Sequence, residues 1–116
     1  MVAIKLPHLA PIRFAKEVLV KEEKSARVSL SFGMIPSLSM MVEAAAQSSA
    51  AFRENDKENA YLVSLKGIKL LQKATQNELE VEIFDAHRLD RMRYVEFKVY
   101  EKESCLATGT LVIAVQ

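Results

Sequence analysis

Two polar side chains stand inside an apolar and small-residue stretch, "IPSLSMMVEAAAQSSAAF", which covers residues 35–52. Glu43 is the only carboxylate in this stretch, and Gln47 follows it four residues later. On a helix, residues four apart lie on one face, so the carboxylate and the amide would be neighbours. Such a carboxylate can act as a base on water or as a nucleophile at a carbonyl carbon. We predict Glu43 and Gln47 as the catalytic residues.

A structural role for the same pair is the alternative. Glu43 falls within the first two turns of the predicted helix, where the N-terminal dipole favours a negative charge. Gln47 would then satisfy a buried backbone group. From the helix pattern alone this structural interpretation is favoured, and it is the family resemblance described below that favours the functional one.

The helix that carries the pair is predicted over residues 37–54. Pro36 fixes its entry, and Ser37 or Ser39 is able to accept a hydrogen bond from the first helical amides. Apolar residues and alanines lie nearly all around this helix. We therefore expect it to be buried at the centre of the protein.

Strands are predicted on both sides of the helix. The second of two early strands alternates apolar and polar side chains, as a half-buried strand does. Gly67 is expected at a bend or bulge in the first strand after the helix. The predicted strands are 17–21, 26–32, 60–71, 78–86, 93–101 and 105–115, with a polar loop at 53–59 and turns at 72–77, 87–91 and 102–104. The fold class is α+β, a curved antiparallel sheet wrapped around one long central helix, in a single domain over residues 1–116.

Composition narrows the classes of partner. The 16 Lys and Arg against 15 Asp and Glu leave a formal charge of +1, which gives no footprint for nucleic acid or a membrane surface. No apolar run approaches the roughly 20 residues that cross a bilayer. The single cysteine, Cys105, cannot form an internal disulfide, and the first residues lack the apolar core of a secretory signal. We expect a cytoplasmic protein without a membrane span.

Three segments resemble the hotdog-fold superfamily, and within it the 3-hydroxyacyl-carrier-protein dehydratases. "LPHLAP" at 6–11 is similar to their "LPH" opening, and "VEAAAQ" at 42–47 to their "IEAMAQ". "GIKLLQKATQNELEVEI" at 67–83 is similar to the strand, loop and strand that follow their helix. The resemblance implies a hotdog fold that acts on an acyl thioester of coenzyme A or of acyl carrier protein.

One departure from that family pattern bears on the chemistry. The dehydratases carry a "GHFP" segment before the helix, and the histidine of this segment works with the helix carboxylate. This chain has "SLSFGMIPSL" there, and its only histidines are His8 and His87. Dehydration needs two groups with different protonation roles, but hydrolysis needs one base. Some hotdog thioesterases use a helix glutamate with a polar residue one turn later. A thioesterase is therefore favoured over a divergent dehydratase that recruits His8, His87 or water, and over a non-catalytic acyl-thioester or lipid-binding protein.

Further residues are predicted to contact the substrate. Met34, Ile35 and Met40 flank the helix start, where flexible apolar side chains would line an acyl channel, with core packing as the alternative. Lys66 and Lys69 would attract the phosphates of coenzyme A or an acidic carrier protein, with ordinary solvated surface as the alternative.

The sequence also predicts the oligomeric state and the absence of a metal site. A small sheet leaves an edge strand unpaired, so a homodimer or higher homo-oligomer is expected. Two histidines without clustered cysteines or carboxylates predict no metal site, and no cofactor is implied.

Overall fold

Six antiparallel strands form one sheet in this protein, for which the computed structural model describes residues 13–52 and 60–115. The strands are β1 (Ala15–Lys21), β2 (Ser25–Ser31), β3 (Ala60–Leu70), β4 (Glu78–Leu89), β5 (Met92–Glu101) and β6 (Ser104–Val115). Their order across the sheet is β1-β2-β4-β5-β6-β3, so β1 and β3 are the edges. One helix, α1 (Leu38–Ser48), packs on one face and continues as a 3-10 turn, Ser49–Phe52. The predicted architecture, a curved antiparallel sheet around one helix, is confirmed.

Alternation along the strands decides which face of the sheet meets α1. Val28, Val81 and Val99 stand in register across β2, β4 and β5, and each is fully buried. Ile83 and Phe97 form the next buried pair, while the residues between them are charged or polar and point the other way. Since side chains alternate across a strand, the sheet has an apolar inner face and a polar outer face.

The helix starts where the sequence indicates but is shorter than predicted. Ser37 is the cap, and its hydroxyl accepts a hydrogen bond from the Met40 amide at 3.3 Å. At the other end the hydroxyl of Ser48 donates to the Ala44 carbonyl at 2.8 Å, and that of Ser49 donates to the Ala46 carbonyl at 2.6 Å. Serine hydroxyls that bond to carbonyls in the preceding turn compete with the helical ladder, and the α-helix ends at Ser48. The predicted residues beyond 52 lie outside the described ranges.

Within the protomer, α1 is buried on the side that faces the sheet. The buried side faces the sheet and comprises Met41, Val42, Ala44, Ala45, Gln47 and Ser48. Glu43 and Ala46 are half-buried, and Ser39 is exposed. One sheet covers only one side of a helix, so the side that carries Glu43 remains accessible.

A pair of leucine substitutions tests this one-sided burial. Ala45 is fully buried, so Ala45→Leu is expected to lower the free energy of unfolding by about 1–3 kcal/mol, the usual cost of overpacking a tight core. Ala46→Leu, on the half-buried side, is the matched control and is expected to cost less. Urea unfolding of both variants measures the difference, and equal losses would contradict the assigned orientation of α1.

The bulge expected at Gly67 is present in β3. Gly67 has φ +60°, and the pairing of β3 with β6 shifts register between Lys66 and Lys69. Glycine adopts this left-handed conformation without steric cost. The bulge turns Ile68 inward, where its side chain packs against the core.

The turn predicted at 87–91 is shorter than expected. β4 continues to Leu89, and His87 pairs with Tyr94 of β5 as a strand residue. The reversal is made at Asp90, whose φ is 54°, a conformation that aspartate tolerates better than most residues. His87 is therefore an exposed strand residue and not a turn residue.

A loop at residues 71–77 crosses from the edge strand β3 to β4 and is fixed to the strands that it passes. The amides of Leu71 and Gln72 both donate to the Leu106 carbonyl, at 2.7 and 3.2 Å. Glu101, at the end of β5, accepts three hydrogen bonds from the loop: from the Thr75 amide at 2.7 Å, the Thr75 hydroxyl at 2.7 Å and the Gln76 amide at 3.0 Å. We call this arrangement the Glu101 clamp.

The Glu101 clamp predicts a pH dependence of stability. Hydrogen bonds from the Thr75 amide and hydroxyl hold the pKa of Glu101 below its ordinary value, with smaller contributions from the Gln76 amide and Lys102. A lowered pKa in the folded state stabilises the fold above the unfolded pKa, about 4.3 for glutamate, and this stabilisation is lost as pH falls through the folded value. Melting temperatures of wild type and Glu101→Gln are expected to differ at pH about 7 and to converge in acid. A difference that stays constant through the acid range would contradict the clamp.

Candidate functional site

Glu43, at the accessible side of α1, is hydrogen-bonded to the buried Gln47. The Gln47 Nε2 group donates to Glu43 Oε1 at 3.3 Å. Gln47 Oε1 accepts from the backbone amides of Phe14 at 2.8 Å and Ala15 at 3.1 Å. Because two backbone donors fix which end of the amide is the oxygen, the N–H end must face the carboxylate.

This arrangement gives the pair two roles at once. Gln47 is only 4% exposed and satisfies buried backbone amides of β1 and the residue before it, which is the structural role considered above. The same bonds leave its amide N–H held against Glu43, which is itself half-buried. The carboxylate is thus positioned on one side by protein and remains open on the other.

The predicted acyl-contact residues lie at the start of the same helix. Met40 precedes Glu43 by three residues, so the two share a helix face, and Met40 also packs against the core. Met34 and Ile35, in the segment that leads into α1, are 65% and 50% exposed. Exposed apolar side chains of this size form a surface that an apolar ligand or a partner chain would cover.

The predicted lysines lie on the opposite face of the sheet from Glu43. Leu65 pairs with the buried Leu111 and so faces inward, whereas the next residue, Lys66, pairs with Thr110 and faces outward. The Lys66 ammonium group lies 5.5 Å from the centre of the Tyr94 ring on the outer face. Lys69 pairs with Thr108 in the same orientation. Within one protomer the sheet therefore separates Lys66 and Lys69 from Glu43 and Gln47.

The two histidines differ in what the structure describes. His87 lies on the outer face, with its ring 5.7 Å from that of Tyr94, so it does not meet Glu43 within the protomer. His8 lies outside the described residues. Among the residues that are described, no three His, Cys, Asp or Glu side chains are grouped to hold a metal ion.

Sequence reasoning missed the residues that hold Gln47. Phe14 lies 33 positions from Gln47 in sequence, and its ring packs at 4.8 Å from that of Phe32, at the end of β2. The predicted first strand began at residue 17 and left Phe14 and Ala15 without a role. Hydrogen bonds between a backbone amide and a distant side chain have no local sequence signal, which is why this support was not predicted.

No protein-family model matches the sequence, and no curated protein matches it either. Solved structures do match: the dehydratase heterocomplex ApeI:P from Xenorhabdus doucetiae aligns with a TM-score of 0.83 at 14% identity, covering 100% of this chain and 92% of that one. The protein has the hotdog fold.

Other hotdog structures align nearly as well. A mutant of thioesterase PA1618 from Pseudomonas aeruginosa aligns with a TM-score of 0.71 at 11% identity, over 87% of this chain and 80% of that one. The HP0420 homologue from Helicobacter felis aligns with a TM-score of 0.76 at 17% identity, over 98% and 86%. At these identities the likeness establishes the hotdog fold alone. In the portion of the chain that is described, no helix has the length and apolar character needed to cross a membrane.

Proposed function

We propose that this hotdog protein hydrolyses acyl thioesters, with Glu43 as the base and Gln47 as the residue that positions it. The observation that supports this most is the fixed orientation of Gln47, whose oxygen is held by two backbone amides while its N–H contacts Glu43. A thioesterase and a dehydratase are both among the structural neighbours. Hydrolysis is favoured because it requires a single base, whereas dehydration requires an acid as well.

The proposed reaction uses water and one carboxylate. Glu43 accepts a proton from a water molecule as the water oxygen bonds to the thioester carbonyl carbon. The tetrahedral intermediate then expels the thiolate, which takes the proton back from Glu43, and a carboxylic acid and a thiol are released. The amides of Leu38 and Ser39, in the first turn of α1, are the candidates for polarising the carbonyl oxygen, because first-turn amides lack partners within a helix.

Substrate binding is divided between two surfaces in this proposal. Met34, Ile35 and Met40 contact the acyl chain near Glu43. Lys66 and Lys69, on the outer face of β3, contact only the part of the substrate that stays outside, the phosphates of coenzyme A or an acidic carrier protein. We propose the cytoplasm as the compartment, because the single cysteine forms no internal disulfide and disulfides are typical of proteins outside it.

A dehydratase and a binding protein are the competing functions. The outer-face position of His87 makes it a poor acid for Glu43 of its own protomer. A panel of acyl, 3-hydroxyacyl and enoyl thioesters of coenzyme A and of acyl carrier protein distinguishes the three. Release of free thiol from the acyl substrates supports hydrolysis, enoyl absorbance from the 3-hydroxyacyl substrates overturns it in favour of dehydration, and binding without either product overturns both in favour of a binding protein.

We further propose a homodimer joined at β3. This edge strand has 11 residues, all exposed except the half-buried Ile68, and among them are Tyr61, Leu62, Val63 and Leu65. An exposed apolar edge is a site for pairing with another strand. The opposite edge, β1, has only 7 residues and offers fewer backbone groups for pairing with another strand. Pairing of two β3 strands would also bring a second copy beside the accessible side of α1.

Matched substitutions on the two edges test the homodimer. Leu65 on β3 is 44% exposed and Leu19 on β1 is 39% exposed. Leu65→Lys is expected to convert the dimer to monomer, because it places a charge at the proposed joint, whereas Leu19→Lys is expected to leave a dimer. Light scattering at micromolar concentration reports the mass, and a monomeric wild type would contradict the proposal.

A further inference from the structure

The Glu101 clamp lies in a part of the chain remote in sequence from Glu43, yet a series of contacts connects the two. Glu101 holds the middle of the crossover loop through Thr75 and Gln76. The start of that loop is fixed separately, by the two amides that donate to the Leu106 carbonyl. The clamp therefore restrains mainly the second half of the loop, residues 75–77.

That second half is bonded to the segment that leads into α1. The Phe32 amide donates to the Asn77 carbonyl at 2.9 Å, and the Asn77 side-chain amide donates to the Phe32 carbonyl at 3.1 Å. This reciprocal pair sets the direction of the chain as it leaves β2. Residues 33–37 then connect Phe32 to the first residue of α1.

Phe32 in turn contacts the residue that holds Gln47. Its ring packs at 4.8 Å from that of Phe14, and the Ser31 amide donates to the Phe14 carbonyl at 2.9 Å. The Phe14 amide donates to Gln47, which contacts Glu43. The loop clamped by Glu101 is thus joined to the catalytic carboxylate through two phenylalanines and one glutamine.

We propose that Glu101 is a positioning residue for the Glu43 site, acting through the crossover loop, Phe32, Phe14 and Gln47. The inference rests on the proposed hydrolysis for its catalytic consequence, but its structural part stands separately. Glu101 itself is proposed to touch neither the substrate nor Glu43. Its role is to keep the amides that hold Gln47 in place, so that the Gln47 N–H stays against the carboxylate.

Amide hydrogen exchange tests the structural part without any substrate. Glu101→Gln keeps the size of the side chain and removes its charge, and charge-assisted bonds are about twice as strong as neutral ones. The amides of Phe32, Phe14 and Ala15 are expected to exchange about tenfold faster in Glu101→Gln than in wild type. Glu103→Gln, an exposed glutamate two residues away, is the matched control and is expected to leave them unchanged. Unchanged exchange in Glu101→Gln overturns the proposal.

A double-mutant cycle in the thioesterase assay tests the catalytic part. Glu101→Gln is expected to lower kcat about tenfold in the wild-type background but less than about twofold in the Gln47→Ala background, because both changes act on the position of Glu43. A merely structural loss would lower kcat by the same factor in both backgrounds, and that result overturns the positioning role. If wild type hydrolyses no thioester, the proposed function fails, and the exchange measurement alone decides whether the clamp reaches Gln47.

Discussion

Glu43→Gln is expected to lower kcat for thioester hydrolysis by about 10² to 10⁴, the usual contribution of a general base. Glutamine has nearly the same size and still accepts a hydrogen bond from the Gln47 Nε2 group, so the helix should remain intact. The lost function is proton acceptance alone. Initial rates of thiol release at saturating substrate measure kcat for wild type and variant.

Glu96→Gln is the matched control for this prediction. Glu96 is an exposed carboxylate on β5, and it alternates with the buried Val95 and Phe97, which places it on the outer face. Its replacement removes the same charge from the protein without touching α1. Equal rates for wild type, Glu43→Gln and Glu96→Gln would mean that Glu43 has only a structural role.

Gly109→Val is expected to be the most destabilising of the substitutions considered, at the upper end of the about 1–3 kcal/mol typical of overpacking. A Cβ at Gly109 would lie 2.9 and 3.0 Å from two ring atoms of Phe97 and would also clash with the Ile68 side chain. Phe97 is 1% exposed and cannot move without displacing the core. The close approach of these two side chains requires glycine in β6.

Gly33→Ala provides the comparison for Gly109. A Cβ at Gly33 would meet no atom within 4 Å, and its φ is not in the left-handed region. Gly33→Ala is therefore expected to leave stability nearly unchanged, and urea unfolding of both variants measures the contrast. A Gly109→Val protein as stable as wild type would contradict the packing of Ile68 and Phe97 over β6.

Much of the hotdog architecture could be predicted because its signals are local. The alternation in residues 26–32 identified β2, and Gly67 indicated the bulge that the β3–β6 register contains. The one-sided burial of α1 could not be predicted, because alanines and methionines fit a buried and a half-buried face equally well. Only the sheet order, with β3 at an edge, determines which side is covered.

The candidate site was predicted in part. The spacing of Glu43 and Gln47 is a local property of a helix, and the pair is hydrogen-bonded. The partners of Gln47 at Phe14 and Ala15, and the contact between Glu101 and Thr75 across 26 positions, depend on the tertiary fold. The outer-face position of Lys66 depends on strand register, which shifts at the bulges on either side of it.

A crystal structure with a non-hydrolysable thioether analogue of an acyl-coenzyme A tests the central claim most directly. We predict that the analogue lies along the accessible side of α1, with its acyl chain against Met34, Ile35 or Met40. The carbon that stands in place of the thioester carbonyl carbon is expected to lie within reach of Glu43 through one water molecule. An analogue bound elsewhere, with Glu43 facing only protein or bulk solvent, would contradict the assignment of Glu43 as the base.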